Sequence, residues 1–225
     1  MRIFLLLLLC VSSCAEKPSQ QTSAPQANQG ADQNLPKILA FGNSLTAGLG
    51  LPASQSYPAQ LQEILDAKGY KYEVVNAGVS GDTTAGGLRR LDWSLEGDVK
   101  IMILELGAND ILRGQPIDEM KKNLAEMIRS ARDRGVVVLL AQMEAPTNSG
   151  AEYRQEVHQA FLDLAKEENV TLIPFVLKNV VGTEKLIQED GTHPTAEGSR
   201  VIAEAVFASL QPLLSTTKTA EDTKF

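Results

Sequence analysis

The chain has 225 residues, of which 43% are hydrophobic and 22% charged, a balance normal for a globular protein. Its net charge is −7 and no Lys/Arg run exceeds a pair (Arg89–Arg90, Lys121–Lys122), which excludes a sequence-independent nucleic-acid binder, since such a protein needs basic surface to neutralise phosphates. The two cysteines, Cys10 and Cys14, both lie near the N-terminus, so the folded part has none for a disulfide and must be stabilised by packing.

Residues 1–13 read as a secretory signal: Arg2 supplies the positive start, and Ile3 to Leu9 form an apolar run too short to span a bilayer. Val11-Ser12-Ser13-Cys14 resembles the bacterial lipobox, in which small residues precede a cysteine that becomes the lipidated first residue of the mature protein. Cys14 fits that pattern and Cys10, preceded by leucines, does not. The alternative is an ordinary cleaved signal with an incidental cysteine. Residues 14–36 are then a tether rich in Gln, Ser, Ala, Asn and Pro, spanning roughly 25 Å if it behaves as a flexible coil. With no Asp directly after Cys14, the resemblance implies a lipoprotein of the outer rather than the inner membrane. The expected domain covers residues 37–214, and residues 215–225 are a polar tail.

Within the domain, Lys37 to Gly42 (KILAFG) is a short apolar run ending in glycine, which predicts a buried strand. Ser54 to Lys68 has helical spacing through Tyr57, Leu61, Ile64 and Leu65. Tyr72 to Ala77 predicts a second strand, Thr83 to Leu91 a helix, and Lys100 to Leu106 (KIMILEL) a third, nearly continuous apolar strand. Ile117 to Arg134 is amphipathic and stops at Gly135. Val136 to Ala141 is a strand, Ala151 to Glu168 a helix, Val170 to Ile173 a last strand, and Thr195 to Leu210 a final helix. Parallel strands need crossovers and both sheet faces must be buried, so this alternation predicts a three-layer α/β/α fold around a parallel sheet of about five strands.

Ligands of open parallel sheets bind beyond the carboxyl ends of the strands. Four unusual segments follow predicted strands or close the chain. Gly42-Asn43-Ser44-Leu45-Thr46-Ala47-Gly48 places a serine in a glycine-flanked turn, although a serine there is also a common helix cap. Asn76-Ala77-Gly78-Val79-Ser80-Gly81-Asp82 has glycines that let backbone N–H groups approach a ligand, and in Gly107-Ala108-Asn109-Asp110 an amide stands at a strand end. Asp190-Gly191-Thr192-His193-Pro194 is the strongest local signal, because a carboxylate three residues before an imidazole can orient it and stabilise its charged form. The other histidine, His158, lies mid-helix beside Val157, Phe161 and Leu164 and reads as a partly solvated helix residue. Two histidines are too few for a dedicated His/Cys metal site, and there is no phosphate-binding G-x-x-x-x-G-K-[ST] loop, so no metal or cofactor is expected.

Together the four segments resemble the SGNH (GDSL-like) hydrolase superfamily, named for a Ser, a Gly, an Asn and a His in four blocks; here Ser44, Gly78, Asn109 and His193 fall in that order. The resemblance covers nearly the whole domain and implies the flavodoxin-like SGNH hydrolase fold. Val75 to Gly78, Leu104 to Gly107 and Asn109 to Gly114 look like the thioesterase I, arylesterase and lysophospholipase branch. One departure stands out: the family's first block usually has Asp where this chain has Asn43, so any hydrogen bond that needs a carboxylate there is changed.

The resemblance implies Ser44 as nucleophile, His193 as its base and Asp190 as the residue that orients His193. The Ser44 and Gly78 N–H groups and the Asn109 side chain are the implied oxyanion donors. Leu112, Met143 and Pro146 are candidates for the acyl or aryl groove, with membership of the core as the alternative. The expected partner is a small-molecule or lipid ester, met at a membrane through the N-terminal anchor. Two rival functions stay open, a carbohydrate O-acetylesterase and a non-catalytic surface binding lipoprotein. Nothing in the residues fixes the oligomeric state.

Overall fold

The computed structural model describes residues 35–214; the signal, Cys14, nearly all of the tether and the polar tail lie outside the described residues. Five parallel strands form one sheet: β1 (Lys37–Gly42), β2 (Glu73–Gly78), β3 (Val99–Glu105), β4 (Val137–Ala141) and β5 (Thr171–Ile173), in the order β2-β1-β3-β4-β5. The helices are α1 (Ser44–Ala47), α2 (Tyr57–Ala67), α3 (Thr84–Ser94), α4 (Ala108–Leu112), α5 (Ile117–Asp133), α6 (Ala151–Glu167) and α7 (Ala196–Leu210). Helix α2 packs against α7, while α5 packs against both α3 and α6. These two helical layers sandwich the sheet, the three-layer architecture expected from strand–helix alternation.

The central strands are apolar on both faces because both faces are covered. Ile38, Leu39, Ala40 and Phe41 of β1, Met102, Ile103 and Leu104 of β3, and Leu139 and Leu140 of β4 are buried. Helix α5 is amphipathic, with Met120, Leu124, Met127, Ile128 and Ala131 inward, and it carries Asp118 and Glu119 in its first turn and Arg132 in its last, as the helix dipole favours.

Boundaries moved by a few residues. The helix expected from Ser54 begins at Tyr57 because Pro58 takes a first-turn position, and a separate 3₁₀ turn covers Ala53–Gln55. Helices α1 and α4 were not legible as helices, since one turn is too short to show an apolar period. Both follow central strands, and both matter for the site. With strand order 2-1-3-4-5 the chain reverses direction of winding between β1 and β3, and the crevice beyond those two strand ends is where such folds bind ligands. Ser44 leaves β1 and Asn109 leaves β3 at that crevice.

Candidate active site

The turn that carries Ser44 is built from beneath. Ser44 is the first residue of α1, and the preceding Asn43 caps the helix by accepting the Leu45 N–H on Oδ1 at 2.9 Å. Gly48, at φ +76°, ends it after one turn. The Ser44 N–H is a first-turn N–H with no acceptor inside the helix. The turn rests on the strand ends: a Cβ at Gly78 would lie 2.1 Å from the Ala47 nitrogen, so only glycine lets β2 come this close to α1. Asn76 ties the same two segments, donating from Nδ2 to the Thr46 carbonyl at 2.9 Å.

The loop that carries Asp190 and His193 is held by local bonds. Ile187 and Pro194 form an antiparallel bridge, and the Gln188 N–H donates to the His193 carbonyl at 2.8 Å. Inside this small loop Asp190 Oδ1 accepts the N–H groups of Thr192 and His193, both at 2.9 Å, and Oδ2 accepts the His193 Nδ1–H at 2.5 Å. These bonds, the His193 N–H first and the imidazole next, hold the Asp190 carboxyl down at about 2 against an ordinary 3.8. With Nδ1 donating to Asp190, His193 Nε2 is left as an acceptor and takes the Ser44 Oγ–H at 2.8 Å, across 149 residues of sequence. The imidazole is mostly shielded (16% exposed) while the Asp190 side chain is 47% exposed. The Gln188 side chain crosses to the nucleophile side, donating from Nε2 to the Leu49 and Pro194 carbonyls, both at 2.8 Å.

The third wall comes from α4 and the loop after β2. Asn109 donates one Nδ2–H to the Asp82 carbonyl at 2.9 Å, which leaves its second N–H available. Its neighbour Asp110 is buried and accepts the Thr84 N–H at 2.9 Å and the Thr84 hydroxyl at 2.6 Å, fixing α4 to the start of α3. Arg90 braces the loop by donating to the Ala77 and Gly42 carbonyls and to Asp82 Oδ2.

One expectation needs correction here. The Gly78 N–H, assigned as an oxyanion donor, instead donates to Asn76 Oδ1 at 3.0 Å. The glycine is required for its lack of a side chain, not for its N–H. In the same loop the Val79 and Asp82 N–H groups go to the Gly42 and Val79 carbonyls, whereas those of Ser80 and Gly81 have no acceptor among the described residues. Gly81, at φ +82°, also sits on the Asn109 side of the loop, since Asn109 bonds Asp82 and Arg113 bonds the Gly81 carbonyl at 2.8 Å. The sequence held the clue, a second glycine three residues on.

Of the groove candidates, Leu112 is 59% exposed and Pro146 is exposed, but Met143 is 2% exposed and packs in the hydrophobic core. His158 is half-buried on α6, and it pairs with Glu144 Oε1 through Nδ1 at 2.7 Å rather than joining the Ser44 cluster. Glu105 was not singled out as a site residue, yet it lies under Ser44's turn, accepting from Asn43 Nδ2 at 2.8 Å and Thr46 Oγ1 at 2.7 Å. A lone carboxylate in an otherwise apolar strand is the signal that could have found it.

Comparison with known proteins places this arrangement. The chain is 41% identical to the esterase TesA of Pseudomonas aeruginosa over 178 residues, covering 79% of this chain and 89% of that protein. It is 34% identical to thioesterase 1/protease 1/lysophospholipase L1 of Escherichia coli K12 over 79% of this chain and 85% of that one. Among solved structures, the psychrotrophic esterase EstA from Pseudoalteromonas sp., inhibited by monoethylphosphonate, superposes with a TM-score of 0.75 at 30% identity, covering 79% of this chain and 97% of that one. Residues 40–201 match the GDSL-like lipase/acylhydrolase family model, and the chain belongs to that family.

Proposed function

We propose that this protein hydrolyses carboxylic esters by double displacement at Ser44. The observation that carries the reading is the unbroken chain Ser44 Oγ–H to His193 Nε2 and His193 Nδ1–H to Asp190. Ser44 Oγ bonds to the ester carbonyl carbon as its proton moves to Nε2. The carbonyl electron pair shifts to oxygen, then returns as the C–O bond to the leaving alcohol breaks and the alcohol takes the proton from His193. Water repeats the sequence on the acyl-enzyme and frees Ser44. Asp190 keeps Nδ1 protonated, so that Nε2 faces the serine as a base.

The developing oxyanion is met by the Ser44 N–H, the free N–H of Asn109 and the Gly81 N–H in place of that of Gly78. The family and its esterase relatives support a small-molecule ester substrate. The lysophospholipase among the relatives, together with the lipobox-like Cys14, supports a finer reading: an exported enzyme anchored by lipid, outer membrane rather than inner, acting on lysophospholipids beside aryl and short acyl esters. Replacing Cys14 with Ser should abolish palmitate labelling and release the protein from the membrane fraction; labelling that persists would remove the anchor.

The reaction is tested with p-nitrophenyl esters from acetyl to palmitoyl, alongside lysophosphatidylcholine. Ser44→Ala should lower kcat on the order of 10⁶-fold. An optimum confined to acetyl would turn the assignment toward carbohydrate O-acetyl groups, and equal, negligible rates for both proteins would favour a binding lipoprotein.

A further inference from the structure

Beneath the nucleophile turn lies a buried carboxylate that no step of the ester reaction uses. Glu105, the last residue of β3, is 1% exposed, and no salt bridge reaches it among the described residues. A carboxylate can be buried without a cation only where hydrogen bonds replace its water. Its donors come from the nucleophile turn: Asn43 Nδ2–H to Oε1 at 2.8 Å, Thr46 Oγ–H to Oε2 at 2.7 Å, Asn43 N–H to Oε2 at 3.3 Å, and the Thr46 N–H. With its proton given to Glu105, the Thr46 hydroxyl accepts from Tyr57 O–H of α2 at 3.2 Å.

A carboxylate only accepts, so the Asn43 NH₂ must face Glu105 and Asn43 Oδ1 must face the other way. There Oδ1 caps the Leu45 N–H at 2.9 Å and lies 3.5 Å from Ser44 Oγ. The acid therefore decides the orientation of the amide, and the amide decides the start of α1. We propose that Glu105 is a positioning residue for Ser44, acting through the Asn43 amide and the Thr46 hydroxyl. The proposal rests on Ser44 being the nucleophile. An Asp at position 43 would put two carboxylate oxygens 2.8 Å apart, a pair that must share a proton.

Burial pushes Glu105 up to about 7, so the acceptor-only carboxylate that orients Asn43 predominates above that pH. The groups facing it are Asn43 and Thr46 from the turn, Gly42 from β1, and Tyr57 from α2, whose phenol is driven above its ordinary range by burial and by the Glu105 charge. Arg90 of α3 reaches the same strand end but uses its donors on Gly42, Ala77 and Asp82.

The test exchanges the polarity of the pair. In Glu105→Gln either amide orientation sets two donors face to face, against the Asn43 NH₂ or against the Asn43 N–H, since of the facing groups only the Thr46 hydroxyl can turn to accept. In the double variant Asn43→Asp/Glu105→Gln, the new amide at 105 donates to the new carboxylate at 43 and still accepts from Thr46. We expect Glu105→Gln to lose kcat on the order of 10-fold to 100-fold with KM within about twofold, the pattern of a misplaced reacting group. Its Tm at pH 8 should be no lower than wild type, since a buried charge has gone, and the double variant should regain most of the rate. Inactivation by a serine-directed phosphonate should follow the same order. A Glu105→Gln enzyme with wild-type kcat, or a double variant no better than the single one at unchanged Tm, overturns the role of Glu105 alone. A wild type inert to ester and phosphonate alike overturns the Ser44 reading and this proposal with it.

Discussion

The two halves of the site are built in opposite ways. Ser44 stands on a turn braced from below by contacts 30 to 62 residues away in sequence, from Asn76 and the buried Glu105. Asp190 and His193 sit in a half-exposed loop whose main bonds run between residues two to five apart. The scaffolded half fixes where the reacting oxygen is; the self-contained half fixes the direction in which a proton moves. Loss of close packing in the first should therefore cost stability and rate together, and changes in the second should cost rate alone.

The sharpest test of that division is Asp190→Asn. Without the carboxylate nothing keeps the proton on Nδ1, and kcat should fall on the order of 10⁴-fold. The side chain is 47% exposed, so the midpoint of thermal unfolding at pH 7 should move little. A large loss of Tm would show that the loop is part of the scaffold after all.

Gly78→Ala probes the other half. Its Cβ would be 2.1 Å from the Ala47 nitrogen and 2.6 Å from the Thr46 carbonyl carbon, backbone atoms that cannot swing away, so β2 and α1 must separate. We expect a loss of about 2–3 kcal/mol in stability together with a fall in kcat. Gly81→Ala is the control: a Cβ there meets only Arg113 at 3.7 Å, and the cost is the φ of +82°, about 1 kcal/mol. Equal Tm losses for the two variants would contradict the packing role of Gly78.

Acid and base should act on the halves with opposite signs. The folded Asp190 carboxyl is depressed to about 2 from 3.8, so its stabilisation is present above about 3.8 and is lost as pH falls through about 2. The folded Glu105 carboxyl is raised to about 7 from 4.5, so its ionisation opposes folding, and stability falls as pH rises from about 4.5 through about 7. Thermal unfolding from pH 3 to 8 should show a declining limb toward pH 8 in the wild type that is absent in Glu105→Gln. A parallel pair of curves would mean that Glu105 keeps its ordinary titration.

The same division explains what could be read from the chain. Asp190-Gly191-Thr192-His193 was legible because its chemistry is local: the residues that touch are three apart. The strands were legible because burial on both faces leaves continuous apolar runs such as KIMILEL. Glu105 interrupts that run, but its partner Asn43 lies 62 residues earlier, and neither spacing nor composition joins them. Gly78 against Gly81 could not be decided from sequence either. Gly78 ends β2 and Gly81 follows three residues later, and only the Asn76 side chain, accepting the N–H of the first, separates the two roles.

Among the described residues, Gln188 is the one side chain of the loop carrying His193, besides His193 itself, that hydrogen-bonds to the segment carrying Ser44, and it offers the smallest and most specific test. Its Nε2 spans the Leu49 and Pro194 carbonyls, so it sets the distance between the segment that carries Ser44 and the loop that carries His193. Gln188→Ala removes two neutral hydrogen bonds at a partly solvated position, each contributing about 1 kcal/mol. The loop keeps its backbone bridge at Ile187–Pro194 and the Asp190–His193 pair, so His193 should retain its proton chemistry while its distance from Ser44 becomes less fixed. The expected result is a fall in kcat of about tenfold or less with an unchanged pH optimum. Gln188→Glu supplies the length without the donor and should behave like Ala. If Glu instead restores full rate, the bond to Leu49 is not what holds the two halves together, and the Ser44–His193 contact is maintained by loop packing alone.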